Sequence, residues 1–266
     1  MFLEWFFIRD FQPWQIAAVI TSGLFIGMGK TGLNGINSVM VPLLALTFGA
    51  KESTGIVLPM LCFADILAVL WYRRSAEWKH IIRLLPWALG GLGLALIVES
   101  FIPARGFRYL IGFCIFSGLG IMLWNDRAKL FSGGKKIDVK ETKSPSGWWF
   151  SAIFGLLGGF TTMIGNAAGP IMSVFLLSMR LPKASFLGTA AWFYMIVNYI
   201  KVPLQVFFWH NITPRGLLFN VTMIPFILTG AILGIILVKK VSEKFYRTLV
   251  YIMTIISSTL LFINFS

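Results

Sequence analysis

The sequence predicts an all-α polytopic membrane protein made of two inverted repeats, each a broken-helix hairpin followed by three full transmembrane helices. Three observations lead there. First, 57% of the 266 residues are apolar and only 12% are charged, with a mean hydropathy of +0.81. Soluble domains carry about 25% charged residues, so the polar side chains here are too few to cover a globule in water. Second, apolar runs able to cross about 30 Å of hydrocarbon at about 1.5 Å per residue recur along the chain. Third, the halves repeat. A shift of 132 positions places Gly23, Leu24, Gly27, Asn34, Met40, Leu44, Lys51 and Ser53 on Gly155, Leu156, Gly159, Asn166, Met172, Leu176, Lys183 and Ser185. Further on, a shift of 139 places Pro86, Leu89, Gly91 and Leu94 on Pro225, Leu228, Gly230 and Leu233. Internal duplication of this kind is common in transporter folds.

Taken in order, the N-terminal MFLEWFFIRD has Glu4 where a signal peptide carries basic residues, so the segment is read as mature chain, with Trp5 and Trp14 at the interface. Segments 14–48 and 147–180 are each interrupted by Gly and polar residues. As one helix, a segment of that length would reach about 50 Å, beyond the bilayer core. Each is therefore read as two half-length helices joined by an unwound tip, GMGKTGLNG at 27–35 and TTMIGNAAG at 161–169. Ordinary spans are expected at 54–72, 80–98, 106–124, 184–200, 214–238 and 243–264, with Pro59 and Pro203 interrupting theirs. The charged loop 125–146 separates a first repeat at 1–124 from a second at 147–266. Cys62 and Cys114 sit in apolar runs and read as packing residues.

The net charge of +13 would suggest nucleic acid in a soluble protein. In a membrane protein it reads as positive-inside loops facing anionic headgroups, with no nucleic-acid partner. If each broken segment crosses the membrane, Lys and Arg divide 13 to 9 between the two sides. If each is a hairpin returning to its own side, they divide 16 to 6, counting Lys201 among the loop cations. The hairpin arrangement obeys the rule better, and it puts three full spans in each half, which inverts the repeats. Both termini are then outside and loop 125–146 is cytoplasmic.

Non-helical backbone at membrane depth survives only where protein or a water-filled cavity satisfies its N–H and C=O groups, so the tips mark the candidate site. The returning helices start after Asn34, a good N-cap, and at Pro170, suited to the first helical turn. Their N-termini favour an anion and can converge near the midplane. The expected substrate-binding residues are Lys30, Thr31, Gly32, Asn34 and Gly35 from the first tip, and Thr161, Thr162, Gly165, Asn166, Ala167 and Gly169 from the second, with Asn198 beside them. Lys30, a cation at membrane depth, is a functional candidate, or else a lysine that snorkels to an interface or pairs with Asp65. Its repeat counterpart is Thr162, so a single fixed cation is expected. Asp65 is the coupling candidate, or a structural partner of Lys30 or of a helix N-terminus. Tyr194 and Trp192 read as packing residues, and the pairs Gly23/Gly27 and Gly155/Gly159 as close-packing sites. GKT at 29–31 is not a phosphate-binding loop, because Leu24 stands where that pattern needs glycine. His80 and His210 fall in interfacial loops, and no motif points to catalysis, a metal or a cofactor, so an enzyme is not expected.

The tips KTGLNG at 30–35 and GNAAGP at 165–170, with LPKASFLGTAAWFYMIVNYIKVP at 181–203, resemble the sulfite exporter TauE/SafE family of membrane transport proteins. The resemblance covers nearly the whole chain. It implies a multi-pass protein of the cell membrane, of the bacterial inner membrane type, that moves small sulfur-containing anions such as sulfite and sulfonates. Carried over by position, the family's Gly-rich tips correspond to Gly29–Gly35 and Gly165–Pro170, with Lys30 standing where many members have glycine. The expected function is secondary transport of a small anion by alternating access, driven by a gradient or the membrane potential. The alternatives are a permease for another anion, such as a carboxylate, and a non-transporting scaffold whose tips merely pack.

Overall fold

In the computed structural model, residues 12–33, 40, 44, 47–48, 50–99 and 147–263 are described. The expected span 106–124, loop 125–146 and the first-tip residues Asn34 and Gly35 lie outside them, as does Cys114. The described chain forms α1 (Pro13–Thr31), α2 (Ala50–Tyr72), α3 (Trp78–Glu99), α4 (Trp148–Gly165), α5 (Gly169–Ser178), α6 (Lys183–Leu204), α7 (Pro214–Lys240) and α8 (Glu243–Ile263). α1 opens with Pro13 in its first turn and a reciprocal pair of bonds between Gln12 and Gln15. α7 opens on Thr213, whose hydroxyl accepts from Gly216 N at 3.1 Å. By length and composition α2, α3, α4 and α7 can each cross a membrane.

Three expectations about the elements need correction. Pro59 and Pro203 do not interrupt their helices: α2 and α6 run straight through them, as α3 and α7 run through Pro86 and Pro225. Neighbouring helices and local adjustments tolerate proline in such segments, and after Leu204 the chain widens into one π turn, Gln205–Trp209. The first tip also starts later than expected, and the second is shorter. α1 stays helical through Gly27, Gly29, Lys30 and Thr31, and α4 through Gly165, leaving Asn166–Ala168 as the break. Nor are the arms of the second hairpin equal, since α4 has 18 residues and α5 has 10.

The glycines inside the arms are there for packing. A β-carbon on Gly27 would strike the carbonyl oxygen of Ile227 in α7, and one on Gly159 would strike that of Ala88 in α3. The partners answer in kind, Gly230 lying against the Leu24 carbonyl and Gly91 against that of Leu156. With no hydrophobic drive between helices in lipid, such backbone contact is what holds them together. Along α4, Gly155 meets Leu84 and Gly159 meets Ala88, so α4 and α3 run in the same direction, as α1 and α7 do through Gly23 near Phe226 and Gly27 near Ile227. α2 and α6 run oppositely. Gly188 lies against Tyr72 and Ser75, Glu77 N donates to Thr189 Oγ1 at 2.9 Å, and Asn198 meets Asp65.

This arrangement sorts the helices by depth. α2 is 67% buried over its span against 33% for α3 and α7, whose outward residues Ile82, Ile97, Val221 and Ile232 are all exposed. Apolar side chains facing outward and polar ones facing inward invert the soluble pattern and suit a lipid surrounding. The buried polar network is thus centred on α2 and α6, with side chains from α1 and the end of α4 reaching into it.

Candidate functional site

One face of α6 carries Tyr194, Asn198 and Lys201, and Gln205 at the start of the π turn follows them, the four spaced four, three and four residues apart. All four are buried, the last three at 1%, 0% and 0% exposure. Opposite them on α2 is Asp65, also 0% exposed. Its carboxylate is held from two sides: Lys30 Nζ lies 2.7 Å from Oδ1 and Asn198 Nδ2 donates to Oδ2 at 2.6 Å. Lys30 Nζ also sits 4.1 Å from the centre of the Tyr194 ring, a cation–π contact. Of the readings open for Lys30 and Asp65, the ion pair is the geometry present. Tyr194 does more than pack, since its ring face completes the lysine's surroundings. Trp192 packs, its ring 5.0 Å from that of Trp78.

Lys201 corrects the sequence reading most sharply. Counted there as a loop cation, it is wholly buried and reaches the end of α4, where its ammonium donates to Thr162 O at 2.5 Å, Asn166 Oδ1 at 2.5 Å and Thr162 Oγ1 at 3.2 Å. The expectation of a single fixed cation is therefore overturned. Thr162, the repeat counterpart of Lys30, has no charge of its own but receives one from α6. The missed signal was the four-three-four polar spacing, which continues helical periodicity beyond Ile200 and through Pro203.

Asn166 makes the break possible. Its φ of 52° is left-handed, a conformation asparagine adopts more readily than most residues. Its N–H donates to Thr162 O, and its Nδ2 reaches Thr54 O at 3.4 Å, tying the break to the start of α2. α5 then begins with Pro170 in its first turn, but its N-cap is Ala168, with no side-chain cap. Ala167 and Ala168 are 2% and 1% exposed, so this helix N-terminus is buried.

Of the other expected site residues, Thr161 Oγ1 bonds back to Leu157 O at 2.8 Å within α4. Thr31 Oγ1 bonds to Ala231 O of α7 at 2.8 Å, while Gly32 packs on Gly234. The carbonyls ending α1 are taken by phenols, Tyr72 to Thr31 O at 2.8 Å and Tyr246 to Gly32 O at 3.2 Å. The two arms thus end differently, the first on tyrosines and the second on a lysine. Gly165 and Gly169 flank the break. His80 lies in the first turn of α3 rather than in a loop, and His210, with φ of 51°, closes the π turn.

Apolar outward faces, several spans and an ionic network enclosed between central helices define a multi-pass helical membrane protein of the transport class. The sequence pattern described as Sulfite exporter TauE/SafE matches residues 18–261, and the chain belongs to that family. Membership places it among membrane anion exporters. No curated protein and no solved structure matches the chain.

Proposed function

We propose that the protein is a secondary transporter of a small anion, with sulfite or an organosulfonate as substrate, working by alternating access between two inverted repeats. The observation that carries this reading is the start of α5, a helix N-terminus buried inside the protein without a side-chain cap. Orphan N–H groups in such a place call for a partner, and the partial positive charge there favours an anion. As candidate substrate-binding residues we retain Lys30, Thr31 and Gly32 with Asn34 and Gly35 from the first-tip sequence, Thr161, Thr162, Gly165, Asn166, Ala167 and Gly169 from the second, and Asn198, with Asp65 as the coupling group.

The inverted arrangement is supported by the matched glycine contacts and by helix direction. α4 runs with α3, α1 runs with α7, and the short turns 73–77 and 210–213 reverse α2 into α3 and α6 into α7. Followed through the α2 and α6 pair, these directions set α1 and α4 opposite to one another. With Lys201 counted inside, the loop cations divide 16 to 5, which favours a cytoplasmic central loop and both termini outside. An inside-negative potential drives an anion outward by about 2.3 kcal/mol per charge per 100 mV, and this supplies the driving force without ATP.

The test is tracer flux through purified full-length protein in sealed liposomes, with sulfite, methanesulfonate and acetate offered in turn. Flux of the first two that follows an imposed potential is the expected result. Faster acetate flux would reassign the protein to carboxylates. Strict dependence on ATP would remove the secondary mechanism, and absence of flux for every anion would leave the scaffold reading.

A further inference from the structure

The enclosed network does not balance in charge. Lys30 and Asp65 form a pair, but Lys201 has no carboxylate in reach among the described residues: its three contacts are a carbonyl, a hydroxyl and an amide oxygen, all neutral. Counted formally, Lys30 at 6% side-chain exposure, Asp65 at 0% and Lys201 at 0% thus leave one positive charge over among these buried groups. One turn beyond Lys201, Gln205 is 0% exposed, and both its amide nitrogen and its amide oxygen lack a hydrogen-bond partner. A buried primary amide whose N–H groups are open, one turn from an ammonium with no carboxylate partner, is an arrangement an oxyanion completes: it supplies the acceptor that the amide nitrogen lacks and the charge that the ammonium lacks.

We infer that Lys201 and Gln205 form an anion subsite matched to one negative charge, so that the transported species is bound as a monoanion. This rests on the anion-transport reading and narrows it. A sulfonate, or sulfite carrying one proton, neutralises the site as it stands. A permanent dianion overshoots by one charge and is accommodated only when Asp65 loses its own. Asp65 therefore sets substrate valence: through Lys30 it silences one of the two cations and leaves the other for the substrate.

Methanesulfonate and sulfate test this, being similar in size with fixed charges of one and two near neutral pH. Binding is measured by titration calorimetry on purified full-length protein. The expected wild-type result is methanesulfonate bound at least tenfold more tightly than sulfate. Lys201→Met is expected to weaken methanesulfonate at least tenfold, Lys201→Arg to keep it within a few fold, and Gln205→Leu to weaken it severalfold. Asp65→Asn, which raises the net charge to two, is expected to shift the preference toward sulfate. If Lys201→Met does not fold, the wild-type ratio, Lys201→Arg and Asp65→Asn still decide. Wild-type protein that binds sulfate as tightly as methanesulfonate would overturn the monoanion inference while leaving anion transport standing. Methanesulfonate affinity unchanged in folded Lys201→Met would also overturn it. Binding of neither probe, together with no flux of any anion in liposomes, would overturn the transport reading itself.

Discussion

Replacing Lys30 with methionine keeps most of the side-chain volume and removes the cation that faces Asp65. At 2.7 Å the pair attracts by about 6 kcal/mol at an effective dielectric of about 20, offset in large part by the cost of burying both groups. The stacking of Lys30 on Tyr194 at 4.1 Å adds about 2 kcal/mol in a water-free setting. What the substitution exposes is the other member. Asp65 would be left as a buried carboxylate with one hydrogen bond, from Asn198, a situation that costs about 3–5 kcal/mol. In a chain of this size that is a fall in melting temperature of about 6–20 °C. Lys30→Met combined with Asp65→Asn removes both charges, leaves a neutral amide able to bond Asn198, and is expected to recover most of the loss. Thermal unfolding of the wild type, both single variants and the double variant in detergent gives the coupling energy directly. An unchanged melting temperature for Lys30→Met, or a double variant no more stable than Lys30→Met alone, would refute the ion-pair reasoning.

Three further outcomes follow from the same geometry. Gly159→Leu and Gly27→Leu push a side chain into the backbones of α3 and α7 and should abolish accumulation of folded protein, whereas Gly158→Ala, whose methyl meets only Met172 Sδ at 3.6 Å, should accumulate normally on a gel-filtration assay. Asn166→Gly keeps the left-handed backbone but removes an acceptor of Lys201, costing about 1.5–3 kcal/mol in thermal unfolding; Asn166→Ala should cost about 1–2 kcal/mol more, from strain. Cysteines introduced at Ser132 and Ser266 should be labelled from opposite faces of the membrane in intact cells, and labelling of both from one face would reject the topology.

How much of this was legible depended on which physical signal each residue gives. Spans near 54–72, 80–98 and 214–238 were readable because an apolar run of about 20 residues has few other uses. The glycine pairs announced close packing of the hairpin arms, although not that α1 meets α7 and α4 meets α3. Glycine in a membrane helix marks either close approach or unwinding, and the same letters serve both. Gly27 and Gly29 were accordingly placed in a tip that begins later in the chain. Lys201 was hidden because the apolar run is broken after Ile200 and Pro203 reads as a stop, yet the helix continues to Leu204. Charge balance in the interior has no sequence signature at all, since it depends on which side chains meet across α1, α2 and α6.

The packing partners of the two hairpin arms have a consequence for biosynthesis. The glycine face of α1 is complete once Thr31 leaves the ribosome, but the surface it fits, around Ile227 and Gly230 of α7, is made about 200 residues later. At about 5–20 residues per second that is a wait of roughly 10–40 s, during which α1 must stay in the bilayer with its flattest face against lipid or a temporary companion. α4 meets no such delay, because α3 precedes it. Assembly is therefore ordered, with the α3 and α4 pair closing before the α1 and α7 pair. A chain truncated before α7 should leave α1 without its dock and open to degradation, and supplying the missing segment as a separate polypeptide should rescue it.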